Sequence, residues 1–257
     1  MGSGCGYGHG MRRIGAVLID IDGVLTVSWK PLEGTVAALA RLRAAAIPLA
    51  LVTNTTSRTR AAIAEVLAAA GFPVTAADIL TAPVIAAAYL AGHYPGARCL
   101  LLNDGDIGED LAGVTLARAD DPAVNVVLLG GAGPEFSYRA LNRAFGHLQR
   151  GARLVAMHRG LYWRTGEGLQ LDSGAFVAAL EQAAGTEAEV VGKPAPASAA
   201  AIDARVREVV LVTRASGSAA ARSRRSAATA PSGGCHDTVS TPSMSISTAP
   251  MRAMPRR

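Results

Sequence analysis

The segment VLIDIDGVLT, Val17 to Thr26, closes an apolar run with two carboxylates, Asp20 and Asp22, followed at once by Gly23. Residues two apart on a strand share a face, so the two acids would lie side by side if the strand continued. Paired carboxylates repel and are costly to desolvate unless a cation or a proton joins them. Gly23 lets the backbone turn sharply or approach a ligand closely. Two further polar groups follow apolar runs in the same manner. Thr53 and Asn54 come after PLALV, and Lys193 comes after Val191-Gly192. Together these residues form a chemical set. One carboxylate can attack phosphorus and a second can protonate the leaving group. A hydroxyl and an ammonium can hold phosphoryl oxygens, and Mg²⁺ can neutralise the crowded negative charge.

Each feature also has a plainer reading. Asp and Gly after a strand are ordinary turn residues, Thr-Asn is an ordinary turn or N-cap pair, and a lone Lys is usually solvated. What favours the chemical reading is that all three stand, in order, at strand ends, where parallel α/β sheets bind ligands.

The elements that must position them alternate in type. Strand patterns over 14–19, 48–52, 98–102, 123–129, 153–157, 189–191 and 208–213 are separated by helical patterns over 34–45, 58–70, 82–91, 136–150, 173–184 and 196–206. That alternation predicts an α/β protein with a parallel sheet covered by helices. After Thr213 the apolar periodicity stops, and the segment 214–257 is mostly Ala, Ser, Arg, Pro, Thr and Gly. Such a segment buries too little apolar surface to offset its ordering entropy, which predicts a disordered basic tail. The first 11 residues, rich in Gly and without an apolar signal segment, read as a disordered leader.

The net charge of +5 does not mark a nucleic-acid-binding face. From Arg214 onward there are seven Arg and one acid, Asp237, of 25 basic and 20 acidic residues, so the first 213 carry 18 basic against 19 acidic side chains. Cys5, Cys99 and Cys235 are odd in number and far apart, which predicts neither a disulfide framework nor a zinc site. No apolar run approaches the ~20 residues that span a bilayer. These features predict a cytoplasmic enzyme with no nucleic-acid or membrane partner.

At this point the chain resembles a known family. VLIDIDGVLT, LVTNTTSRT and VVGKPAP match the first three motifs of the haloacid dehalogenase superfamily. The match lies closest to its phosphatases with a type-two cap, and within them to the phospholysine phosphohistidine inorganic pyrophosphate phosphatase branch. The resemblance implies a doubly wound parallel-sheet core, residues 12–82 and 188–213, with an inserted α/β cap over 83–187. It implies an Mg²⁺-dependent phosphohydrolase of small phosphorylated molecules working through an aspartyl-phosphate. Asp20 would be the nucleophile, and Asp22 the general acid/base that also gives its carbonyl to the metal. Thr53, Asn54 and Lys193 would bind the phosphoryl group, and Asp20 with Asp22 would ligate Mg²⁺. Asp172 and Ser173 resemble the cap's substrate-specificity loop, and a homodimer would form through the cap.

The remaining features have plainer expectations. Tyr162 and Trp163 are expected to pack inside the cap, and Asn103-Asp104-Gly105-Asp106 to form a turn rather than a calcium loop. His93, His147 and His158 are not at ligand spacing, although His158 could face a substrate. The family's fourth motif, a Gly-Asp-Asp type cluster, should follow the strand at 208–213. Here that strand runs into TRASGSAAARSRR, with no acid before Asp237. The Ala/Arg/Ser/Pro-rich composition is what GC-rich DNA encodes out of frame. This predicts a frameshift near codon 213 and impaired activity, or a catalytically inactive relative that binds phospho-ligands or protein partners. Resequencing tests the frameshift, and an unbroken frame in independent isolates would dismiss it.

Overall fold

The computed structural model describes residues 15–207 except 119, 166 and 167. The chain divides into two units, Met1–Ser218 and Ala219–Arg257, and every described residue belongs to the first. The expected leader, the strand at 208–213 and the tail lie outside the described residues.

Two parallel sheets carry the fold. The first contains β1 (Val17–Asp20), β4 (Leu49–Thr53) and β5 (Ile79–Thr81), in the order β1-β4-β5. Every residue of β4 is buried, which is why LALVT is a continuous apolar run closed by a polar residue rather than an alternating one. Helices α1 (Thr35–Ala44) and α2 (Arg60–Ala69) build its core, where Leu39, Ile63 and Leu67 pack on Leu49, Leu51 and Ile79. Thr59 caps α2 by accepting the Ala62 N–H at 3.2 Å. Between β1 and α1 lies a hairpin of β2 (Thr26–Val27) and β3 (Lys30–Pro31). Its two loop residues, Ser28 and Trp29, both have positive φ, as a two-residue type I′ connection requires. The Arg58 guanidinium stands 5.3 Å over the Trp29 ring and ties this hairpin to the segment after β4.

The second sheet comprises β6 (Arg98–Leu102), β7 (Thr115–Leu116), β8 (Val126–Leu129), β9 (Arg153–Ala156) and β12 (Glu189–Val190), in the order β12-β9-β8-β6-β7. Its faces follow the two-residue period of a strand. Leu102, Val127, Leu129 and Leu154 pack with α4 (Tyr138–Gln149) and α5 (Ser173–Ala184). Cys99, Val126, Leu128 and Val155 pack with α3 (Ala82–His93) and the helix at 196–207. Among the described residues no helix is long and apolar enough to cross a membrane.

Two expectations need correction. The core was expected to resume at 188, yet β12 pairs with β9 through Glu189–Val155 and Val190–Ala156, so it completes the second sheet. The reason is side-chain anchoring: the Glu189 carboxylate accepts the Tyr89 hydroxyl at 2.7 Å, the Tyr94 hydroxyl at 2.6 Å and Arg153 Nε at 3.0 Å. Burial alone would raise the pKa of Glu189, but hydrogen bonds from Tyr94, Arg153 and Tyr89 outweigh it and hold the pKa low. Tyr162 and Trp163 do not pack inside. They lie on an antiparallel ribbon of β10 (Tyr162–Thr165) and β11 (Gly168–Leu171), where both are more than half exposed.

Candidate active site

Three chain segments converge, each at the carboxyl end of a parallel strand. β1 delivers Asp20 as its last residue, and the next side chain, Ile21, is fully buried and fixes the exit of the strand. Gly23 then turns with φ +78°, and its N–H donates to the Thr26 carbonyl at 2.8 Å. Asp22 lies just before this turn, in an isolated parallel β-bridge with Thr26 rather than in β1, which separates its surroundings from those of Asp20.

The carboxylates find different partners. Asp20 Oδ1 accepts Lys193 Nζ at 2.8 Å and the Ile21 N–H at 2.9 Å. Lys193 Nζ also donates to the Val52 carbonyl at 2.9 Å, so the ammonium is held between β1 and β4. Asp22 Oδ2 accepts the hydroxyls of Thr53 and Thr55, each at 3.2 Å. The backbone of Thr55 is drawn in by its own N–H, which donates to Thr53 Oγ1 at 3.0 Å. The carboxylates at the end of one strand are thus balanced by an ammonium on one side and two hydroxyls on the other.

Asn54 joins the second and third segments. Its Nδ2 donates to the Lys193 carbonyl and its Oδ1 accepts the Lys193 N–H, both at 2.9 Å. Thr53 and Asn54, expected as phosphate ligands, here direct their side chains to Asp22 and to the Lys193 backbone. Thr55 was not foreseen, because a third hydroxyl in a Thr-rich loop carries no signal of its own in the sequence.

The second sheet forms the facing wall. The turn at 103–106 docks on the segment after β4: Asn103 Nδ2 donates to the Thr56 carbonyl at 2.9 Å, and Asn103 Oδ1 accepts the Gly131 N–H at 2.9 Å. Gly105 has φ +91°, and a Cβ there would collide with the Ser57 carbonyl. A cleft of about 620 Å³ is lined by Asn54, His158, Arg159, Asp172 and Lys193 among others. A smaller lobe of about 140 Å³ adds Thr55, Asp104 and Trp163. Asp172 lines both lobes, with Oδ1 capping α5 through the Ser173 N–H at 2.7 Å. Ser173 is fully buried behind this wall, its hydroxyl 3.5 Å from both ring nitrogens of His158.

Residues 17–117 match the family model described as haloacid dehalogenase-like hydrolase. The human haloacid dehalogenase-like hydrolase domain-containing protein 2 is 37% identical over 183 residues, covering 71% of this chain and 68% of that protein. The chain belongs to the haloacid dehalogenase-like hydrolase family. A phospholysine phosphohistidine inorganic pyrophosphate phosphatase from Xenopus laevis is 37% identical over 198 residues, covering 74% of this chain and 69% of the relative. A glycerol phosphate phosphatase from Mycobacterium tuberculosis, crystallised with calcium, superposes with a TM-score of 0.66 at 32% identity. The superposition covers 73% of this chain and 56% of that one. The same protein crystallised with magnesium gives a TM-score of 0.68. Asp20 and Asp22 of this haloacid dehalogenase-like hydrolase, with Thr53 and Asn54, all lie within the matched residues 17–117.

Proposed function

We propose that the chain is a phosphatase in which Asp20 is the nucleophile and Asp22 the general acid and base. The observation that carries this reading is the contact of Lys193 Nζ with Asp20 Oδ1 at 2.8 Å, across 173 positions of sequence, beside an Asp22 fixed by two hydroxyls. With Oδ1 bound to Lys193 and the Ile21 N–H, Asp20 Oδ2 is the oxygen that attacks phosphorus. The bond to the leaving oxygen breaks as that oxygen takes a proton from Asp22. Because Asp22 Oδ2 receives the Thr53 and Thr55 hydroxyls, Oδ1 is the atom that gives the proton. Water then attacks the aspartyl-phosphate, Asp22 Oδ1 takes a proton from it, and inorganic phosphate leaves with Asp20 restored.

Mg²⁺ fits the donors available here. The Asp20 carboxylate and the Asp22 main-chain carbonyl are hard oxygen ligands, and 45% of the Asp20 side chain is exposed. Among the described residues no group of three or more His, Cys, Asp or Glu could hold a metal, so water and substrate oxygens would complete an octahedral shell. The chemistry such an ion supplies is neutralisation of phosphoryl charge.

The substrates are small molecules with a phosphoric monoester, phosphoamide or pyrophosphate group. Hydrolysis of p-nitrophenyl phosphate is expected to stop on addition of EDTA and to return with Mg²⁺. Activity indifferent to EDTA would remove the metal from the scheme. No release of phosphate from representatives of the three substrate classes would remove the phosphatase.

The second sheet is read here as the cap, and a homodimer through it is supported by the ribbon β10–β11. That ribbon exposes Tyr162, Trp163, Leu169 and Leu171, with Leu161 exposed just before it, an apolar strip of the kind that marks an interface. Sedimentation should give a dimer that Leu169→Asp with Leu171→Asp converts to monomer, and a monomeric parent chain would dismiss the homodimer.

A further inference from the structure

Three residues line both lobes of the cleft: Asn54, His158 and Asp172. Asn54 is engaged with the Lys193 backbone, and Asp172 Oδ1 with the N–H groups of Ser173 and, at 3.3 Å, Ala132. His158 is two residues beyond β9, at the carboxyl end of a parallel strand, and its loop is held at both ends. The Met157 N–H donates to the Leu129 carbonyl, and the Gly174 N–H to the Gly160 carbonyl, each at 2.8 Å. A side chain at Gly174 would press on the carbonyls of Arg159 and Gly160, so the loop lies tight against the start of α5. The position of the imidazole is therefore set by backbone rather than by a flexible stem.

Its ring nitrogens are not equivalent. The Gly160 N–H, which can only donate, points to Nδ1 at 3.3 Å. The Asp172 carboxylate is farther, at 3.8 Å from Nδ1. An accepting Nδ1 places the proton of the neutral ring on Nε2. Burial pushes the pKa of His158 down, against the smaller opposing pull of Asp172, which favours that neutral ring. The contact to Nε2 is the Ser173 hydroxyl at 3.5 Å, the outer limit of a hydrogen bond, so its N–H is only weakly satisfied.

We propose that His158 is a specificity-determining residue whose Nε2–H donates to an oxygen of the leaving group, selecting phosphate esters of alcohols that carry a further hydroxyl or ether oxygen. The inference rests on the phosphatase reading, because it needs the phosphoryl group seated beside Asn54 and Lys193. It goes beyond that reading by naming the chemistry that the facing wall recognises.

The test compares ethyl phosphate with 2-hydroxyethyl phosphate, which differ by one hydroxyl, and uses inorganic phosphate as the reference. Dissociation constants are measured by calorimetry on the full chain carrying Asp20→Asn, with and without His158→Phe or His158→Asn. With His158 present, 2-hydroxyethyl phosphate should bind roughly 3- to 10-fold tighter than ethyl phosphate, the effect of one net hydrogen bond. His158→Phe should bring that ratio to about one, and His158→Asn, which keeps an N–H donor, should retain part of it. Inorganic phosphate, which has no leaving group, should bind within about twofold in all three proteins. An unchanged ratio in His158→Phe overturns the inference, as does an equal loss for inorganic phosphate, which would mean a structural role. Failure of either ester to bind in the His158 protein overturns it too. If both esters bind with the expected ratio but the unmodified chain hydrolyses neither, the phosphatase reading fails while the recognition by His158 stands.

Discussion

Asp20→Asn is expected to lower turnover of p-nitrophenyl phosphate by at least about 10⁴-fold, with little change in the affinity for inorganic phosphate. An amide oxygen is a far weaker nucleophile than a carboxylate, and removing the nucleophile of a covalent mechanism has cost ~10⁶ in a well-studied hydrolase. The substitution is close to isosteric, so Lys193 Nζ keeps its bond to the Val52 carbonyl and remains near the site. Nearly half of the Asp20 side chain is exposed, so its loss should barely move the melting temperature. The measurements are steady-state kinetics, a thermal melt and trapping of the phosphorylated chain by acid quench. The parent chain should yield an acid-stable, hydroxylamine-sensitive phosphoenzyme that the variant lacks. A variant retaining a tenth of the parent rate would mean that another group attacks phosphorus, and the assignment of Asp20 would fall.

What was legible in the sequence was the part that local chemistry encodes. LALVT could be read as a buried strand because every one of its side chains is buried. Asp20, Thr53 and Lys193 stood out because polar residues at the ends of apolar runs are conspicuous. What was not legible depends on partners distant in sequence. β2, β3 and β7 are two residues long, too short for any period to show. β12 joined the second sheet through Glu189, Tyr89, Tyr94 and Arg153, a network spread over 100 positions. Tyr162 and Trp163 look like core residues in any one-dimensional reading, since nothing local distinguishes an exposed ribbon from a covered one. The clamp of Asn54 on Lys193 was hidden for the same reason: each residue was singled out, but their pairing is a property of the fold.

That clamp makes Gly192 the most sensitive small residue near the site. Gly192→Ala is expected to reduce turnover by about 100-fold and to destabilise the chain by roughly 1–3 kcal/mol. A Cβ at this position would collide with the Met157 carbonyl and come within 2.9 Å of Asn54 Oδ1. The Met157 carbonyl belongs to backbone fixed by the Met157 N–H bond to Leu129, so it cannot retreat cheaply. Asn54 Oδ1 is the atom that accepts the Lys193 N–H, so relief of the collision must lengthen the bond that positions Lys193. A shift of even 1 Å there moves Nζ away from Asp20 Oδ1, and misplacement on that scale can cost about 10² in rate. The φ of Gly192 is not in the left-handed region, so the effect is steric rather than conformational. Gly92→Ala provides the contrast. Gly92 is exposed within α3, a Cβ there meets nothing within 4 Å, and that change should leave turnover unaltered. If Gly192→Ala matches the parent in rate and melting temperature while Gly92→Ala does too, the junction between β12 and Lys193 is looser than its contacts imply. The Asn54 clamp would then not be what holds the ammonium against Asp20.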